Sequence, residues 1–270
     1  MKYLCAHPVL TISLLLLTAI LIWTLWGNTA LTQTNYKVDS QKIPQAFDGF
    51  RIAQVSDLHN TTFGKDNTKL LALLEEAQPD LIAITGDLID SRKAQPEVAI
   101  AFAKEALKIA PTYYIPGNHE SRLPEIYEAL KAELSRLGVV VLENESVVLH
   151  QGTNTITITG LMDPDFGIPW PELTTDTYQV VLSHRPERFD RYTALGLDLV
   201  LTGHAHGGQI RLPFFGGLIA PHQGFFPKYD SGIHKNENTT MIVSRGLGNS
   251  VFPLRFNNRP ELVMITLESN

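Results

Sequence analysis

Cysteine is nearly missing from the 270-residue chain: Cys5 stands alone. No intramolecular disulfide framework and no zinc site built from several thiolates can be made. A basic excess is missing as well. The 28 Asp and Glu outweigh 22 Lys and Arg, for a formal net charge of −6, which excludes a polybasic nucleic-acid binder. There is no internal repeat and no low-complexity tract, so fibrous and disordered classes drop out. The last absence is local. From Tyr3 to Tyr36 there is no Asp, Glu, Lys or Arg.

Within that uncharged stretch, Val9 to Trp26 is an uninterrupted run of Leu, Ile, Val, Ala, Trp, Thr and Ser, between Pro8 and Gly27. As a helix at about 1.5 Å per residue it spans roughly 27 Å, just short of a hydrocarbon core. Trp23 and Trp26 stand where an interfacial belt would lie. A cleaved signal peptide is the rival reading. Its apolar centre is usually shorter and ends at a small-x-small site; the nearest candidate, Asn28-Thr29-Ala30, begins with the wrong residue type. The expectation is a membrane anchor over 1–27, a polar, irregular tether over 28–48, and one soluble domain over 49–270. Lys2 favours the amino terminus inside and the domain on the extracytoplasmic side, while Lys37, Lys42 and Arg51 pull the other way. Cys5 precedes the apolar run, so it cannot be a lipoprotein cysteine and reads as a bystander.

In the first half of the soluble portion, short apolar runs alternate with helical periods. Arg51–Ser56, Asp80–Thr85, Thr112–Ile115 and Val139–Leu142 read as strands, and Lys65–Ala77, Glu97–Ala110 and Pro124–Leu137 as helices. This alternation predicts an α/β arrangement. The second half is strand-rich: Ser146–His150, Thr155–Thr159, Gln179–Leu182, Leu197–Leu201, Gln209–Leu212, Thr240–Val243 and Glu261–Thr266. A Gly/Pro/Phe-rich stretch from Pro213 to Gly232 interrupts it.

Five polar clusters stand where these strands end: Asp57-Leu58-His59, Gly86-Asp87-Leu88-Ile89-Asp90, Gly117-Asn118-His119-Glu120, Ser183-His184 and Gly203-His204-Ala205-His206. Ligands in open α/β sheets collect at strand carboxyl ends. Carboxylates, imidazoles and an amide oxygen without thiolate suit borderline divalent metals such as Mn, Fe or Zn, and hydrolysis rather than structural binding. Asp57 and His59, like His204 and His206, are two apart on segments read as extended, which would turn both side chains to one face. Gly86, Gly117 and Gly203 would let the backbone approach closely.

The ordered series D-x-H, G-D-x-x-D, G-N-H-E, H and G-H-x-H over residues 51–206 resembles the calcineurin-like metallophosphoesterase superfamily. Gly207–Pro213, Gln223–Tyr229 and Ser244–Gly248 are similar to its YaeI/YkuE-type bacterial phosphodiesterase branch. The resemblance implies a four-layer α/β/β/α sandwich and a phosphodiesterase that uses a metal-bridging hydroxide; with the apolar run, the expectation is a membrane-anchored one. It implies that Asp57, His59 and His206 hold one divalent ion and that Asn118, His184 and His204 hold a second, with Asp87 bridging. His119 would protonate the leaving oxygen or stabilise the transition state, with Asp90 and Glu120 behind it. Arg185 and Arg245 are candidate substrate contacts. His222 and His234, in the Gly/Phe stretch, are left without a role. Two dications would offset part of the domain's negative charge, −7 once Lys2 is set aside, and admit an anionic substrate.

Two other functions stay open at this point. One is a pyrophosphatase on a nucleotide-linked lipid precursor such as UDP-2,3-diacylglucosamine. The other is a metal-binding membrane scaffold without turnover. Phe214, Phe215, Phe225 and Phe226 are read as core ahead of an apolar rim for a lipid-bearing substrate. The oligomeric state is open.

Overall fold

The computed structural model describes residues 8–173, 176–249 and 252–270; Lys2 and Cys5 lie outside them. The apolar run forms α1 (Pro8–Gly27). Its large side chains are exposed, and it is long and apolar enough to cross a membrane. Thr18 and Thr24 donate their hydroxyls to the Leu14 and Ile20 carbonyls at 2.8 Å, so neither leaves a polar group unpaired in an apolar surrounding.

The tether expected over 28–48 is replaced by ordered structure. β1 (Thr32–Ser40) pairs in parallel with the last strand of the chain, Glu261–Ser269, along its whole length. Val38 within it and Ile43 and Phe47 beyond it are buried. The segment reads as polar because β1 is an edge strand, and an edge strand buries few of its side chains. Only Tyr36 and Val38 of β1 pack against the core, too few for a visible period.

The alternation then gives β2 (Arg51–Val55), α2 (Thr68–Ala77), β3 (Leu81–Thr85), α3 (Pro96–Ala106), β4 (Thr112–Ile115), the single turn α4 (Asn118–Ser121), α5 (Pro124–Leu137) and β5 (Val140–Val141). Pro at the start of α3 and α5 and left-handed Gly138 after α5 set the helix ends. Next come β6 (Ser146–Gln151), β7 (Asn154–Gly160), β8 (Tyr178–Leu182), α6 (Phe189–Ala194) and β9 (Leu199–Thr202). β10 (Arg211–Leu212) leads into the Gly/Phe stretch, which holds three more two-residue strands: β11 (Gly216–Gly217), β12 (Ile219–Ala220) and β13 (Gly224–Phe225). β14 (Gly232–Asn236), β15 (Thr239–Val243) and β16 (Glu261–Ser269) close the chain. The strand expected over Gln209–Leu212 shrinks to two residues because Gly207, Gly208 and Gln209 all take positive φ and turn the backbone.

Two six-stranded sheets result, in orders β1-β16-β2-β3-β4-β5 and β14-β15-β9-β8-β7-β6. Strands β2 to β5 run parallel, with α2, α3 and α5 packed over one face. Ile52, Leu81, Ala83 and Ile115 of the first sheet meet Ile158, Val180, Leu182 and Leu201 of the second. Beyond the second sheet, Phe189 and Tyr192 of α6 cover Val181, Val200 and Met241. The architecture is the expected α/β/β/α stack with a thin fourth layer. Gln54 sits between the sheets and donates to Thr85 Oγ1 at 3.1 Å and to the Thr202 carbonyl at 2.8 Å. It thereby fixes the last residues of β3 and β9 against each other.

Phe47 has no exposed surface and meets Phe50 edge to face at 5.5 Å. Phe47→Ala is expected to lower the unfolding free energy by about 3–5 kcal/mol in denaturant titrations of the full chain. A change near zero would restore the tether.

Candidate metal centre

Each of the five clusters follows the carboxyl end of a strand: β2, β3 and β4 from the first sheet, β8 and β9 from the second. The segments leaving those ends are not extended, contrary to the expectation for Asp57/His59 and His204/His206. Asp57, His59, Asp87, His204 and His206 have φ of 53°, 46°, 53°, 63° and 48°. A left-handed residue with a Cβ costs about 1–3 kcal/mol, and such strain gathers where a site dictates side-chain direction. Local hydrogen bonds hold it: Asp57 N donates to the Gly86 carbonyl at 3.1 Å and His59 N to that of Asp87 at 3.0 Å.

The result is one buried constellation. Asp57, His59 and His206 bring ligand atoms within 4.8 Å of one another, and so do Asp87, His184 and His204. Asp87 Oδ2 lies 3.2 Å from His184 Nε2 and 3.6 Å from His59 Nε2, and so joins the two groups. His59 Nε2 and His206 Nε2 are 3.2 Å apart, as are His204 Nδ1 and His184 Nε2. His184 Nδ1 donates to the Thr85 carbonyl at 2.8 Å, which turns Nε2 to the Asp87 carboxylate. Bare, it would face that carboxylate acceptor to acceptor, so a proton or a metal ion must stand between them. Asn118 is buried, and its Oδ1 has no hydrogen-bond partner. The donor set therefore fits divalent ions.

The electrostatics agree. Burial alone would push the two carboxyls up, yet His206 and His59 hold Asp57 well below the usual range, and His184 does the same for Asp87. Burial opposes the His184 imidazolium, but Asp87 and Asp57 outweigh it and raise the group to about 10. Desolvation drives His206 down to about 3 and lowers His204 well below its ordinary value. His59 is raised too, because Asp57 and Asp87 outweigh its burial; the carboxylates draw onto these imidazoles the positive charge that a divalent ion would supply in its place.

His119 Nδ1 accepts from Ser91 N at 2.9 Å, which leaves its proton on Nε2. Its ring packs on that of His59 at 4.5 Å between centroids, and desolvation lowers it to about 4. Asp90 Oδ1 is 3.6 Å from His119 Nδ1, but the Asp90 carboxylate is also bound by Arg92. His59, Asp90 and His119 also group closely enough to share an ion. Glu120 does not turn to His119. Its carboxylate accepts the backbone N–H of Gly117 at 2.8 Å, Asp87 at 3.0 Å and Ile89 at 3.1 Å. It fixes the loop that carries Asp87, and burial beside that carboxylate raises it to about 7.

Arg185 and Arg245 both face carboxylates. Arg185 is buried against Asp163, bound through Nε and Nη2, and its Nη1 reaches His222 Nδ1 at 2.8 Å and His204 Nε2 at 3.1 Å. Arg245 binds Glu261 through Nη2 at 2.8 Å. Sequence reasoning missed the partners of the ligands. His222 Nδ1 lies 2.9 Å from His204 Nε2, Ser91 N holds His119, and fully buried Arg255 brings Nη2 to 3.4 Å from His206 Nδ1. None of these follows a strand end, so position gave no signal.

Comparison with known proteins is consistent with this geometry. A family profile described as calcineurin-like phosphoesterase matches residues 50–208. The chain is 32% identical over 249 residues to the uncharacterized metallophosphoesterase YkuE of Bacillus subtilis, covering 87% of this chain and 85% of that protein. It is 30% identical over 224 residues to phosphodiesterase YaeI of Escherichia coli, covering 81% and 82%. A transmembrane protein with metallophosphoesterase domain from Danio rerio matches at 26% over 283 residues, 96% of this chain and 62% of that one.

A Cβ on Gly203 would stand 1.9 Å from Ser56 Oγ and 2.3 Å from Asp57 Oδ2, so the backbone approach there requires glycine. Gly203→Ala is expected to cost about 1–3 kcal/mol of stability and to lower manganese uptake. Calorimetry and metal analysis check both, and unchanged uptake would show that Asp57 tolerates displacement.

Proposed function

Because the chain belongs to the calcineurin-like phosphoesterase family, whose members are metal-dependent phosphoester hydrolases, we propose that it is a membrane-anchored phosphodiesterase with two divalent ions. The observation that carries the reading is the Asp87 carboxylate shared between the Asp57/His59/His206 and His184/His204 groups. Asp57, His59 and His206 would hold one ion, Asn118, His184 and His204 the other, and Asp87 both. Their identity among Mn, Fe and Zn follows availability, since this ligand set accepts each. When bound, the ions supply the acidity that makes water a nucleophile near neutral pH and the charge that neutralises phosphoryl oxygens.

The chain's own residues do the rest. His119 carries its proton on Nε2, held by Ser91 N at Nδ1, and would donate it in a hydrogen bond that stabilises the transition state at the leaving oxygen. Glu120 holds the backbone of the Asp87 loop in place. His204 would hold an ion while its Nε2 sits in a cluster with His222 Nδ1 and Arg185 Nη1, the kind of outer contact that orients metal-binding histidines. Arg185, committed to Asp163, packs behind His204 and His222 as a positioning residue.

Anchoring rests on α1, exposed and apolar, and agrees with the transmembrane name of the Danio rerio relative. A single pass in a bacterial cell membrane is part of this reading; Lys2 supports a domain on the extracytoplasmic side, and Lys37, Lys42 and Arg51 on the other flank oppose it.

Full-length protein loaded with Mn²⁺ is expected to hydrolyse bis-p-nitrophenyl phosphate. Asp87→Asn should lose metal and activity together. His119→Ala should keep its metal and turn over roughly 10²–10⁴-fold more slowly. Absence of turnover at full metal loading would remove the enzymatic reading. Loss of metal from His119→Ala would instead make His119 a ligand through the His59/Asp90/His119 group.

A further inference from the structure

The four phenylalanines read as core from the sequence are on the surface. Phe214 and Phe215 form the turn between β10 and β11, while Phe225 and Phe226 end the β12–β13 hairpin. They are 104%, 73%, 70% and 59% exposed, and Phe252 on a neighbouring loop is 49% exposed. Scattered exposed apolar residues are ordinary, but four exposed aromatic rings on two consecutive hairpins mark an interaction surface. An apolar groove of about 470 Å³ opens beside the second hairpin, walled by Ile210, Ile219, Pro221 and Phe252, and reaching His206.

This face is tied to the end of α1. Gln209 Nε2 donates to the carbonyls of Phe252 and Leu254 at 2.9 Å, and Ile210 pairs with Phe256. Arg255, on that same loop, donates its N–H to Asn28 Oδ1 at 2.8 Å, and Asn28 Nδ2 donates back to the Arg255 carbonyl at 2.9 Å. Asn28 is the first residue after α1, and Arg259 lies over the Trp26 ring at 5.0 Å. A bilayer that holds α1 has its surface at Trp23 and Trp26, one loop away from the phenylalanine hairpins.

We infer that the phenylalanine hairpins seat in the lipid interface around α1. The groove beside His206 then takes an apolar chain, and the phosphodiester cleaved is one borne by a membrane lipid. The substrate class rests on the phosphodiesterase reading above; the docking surface does not. An anchored site would meet such a substrate at high effective concentration, and a groove that ends at a candidate metal ligand places the chain beside the phosphoryl group.

The test uses full-length protein with Cys5→Ser in vesicles of phosphatidylcholine and phosphatidylglycerol. An environment-sensitive fluorophore on Phe214→Cys is expected to emit at shorter wavelength and be quenched by nitroxide lipids. The same label on Lys69→Cys of α2 should behave as in water. Phe214→Ser/Phe215→Ser/Phe225→Ser, away from the metal ligands, should lose at least about tenfold in hydrolysis of vesicle phosphatidylglycerol. The same variant should keep its rate on bis-p-nitrophenyl phosphate. A water-like label at position 214 overturns the docking surface. Equal effects on both esters, or wild-type turnover of the soluble ester alone, overturn the lipid-borne substrate. A label in lipid with no turnover of either ester by metal-loaded wild type leaves docking supported and overturns the phosphodiesterase reading, and the substrate class with it.

Discussion

The Asp87 carboxylate is the contact on which the site depends. It comes from the first sheet, yet Oδ2 is nearest to His184, which the second sheet supplies. Oδ1 accepts the backbone N–H of His119 at 2.8 Å, so the same group sets the start of α4. Glu120 closes the circuit by holding the amides of Asp87, Ile89 and Gly117. The two sheets are thus locked together at their strand ends by polar contacts and, deeper, by the apolar layer from Ile52 to Leu201. Gln54 marks the boundary between these two regimes.

Such a cluster is costly without positive charge. Desolvation of two buried carboxylates is large, and five left-handed residues add strain. The fold tolerates both because rigid strands fix the positions from which the loops depart. A cation that satisfies Asp57, Asp87 and the facing imidazole lone pairs would reverse much of this cost, so metal binding and local stability are coupled. The formal negative charge of the domain is in part the charge of its candidate ligands, Asp57 and Asp87.

Much of the site was legible in the sequence. Asp57, Asp87, Asn118, His119, His184, His204 and His206 each stand just past an apolar run, and the ordered motifs implied their roles before any geometry. Local conformation was not legible. Motif spacing suggests extended segments, whereas the side chains converge through positive φ. Glu120 reads as a partner for His119 from adjacency alone, and only the tertiary path of the Asp87 loop shows what it holds. β1 was hidden because an edge strand needs few apolar residues. The phenylalanines misled for the opposite reason: an apolar residue reads as core unless its surroundings are known, and these hairpins extend away from both sheets.

The account stands on a pair of ions sharing Asp87. Electron paramagnetic resonance of the manganese-loaded full chain tests this directly, because ions roughly 3.5–4 Å apart couple magnetically. The account predicts the exchange-coupled spectrum of a dinuclear centre at full loading. The six-line signal of isolated Mn²⁺ at every loading would contradict it.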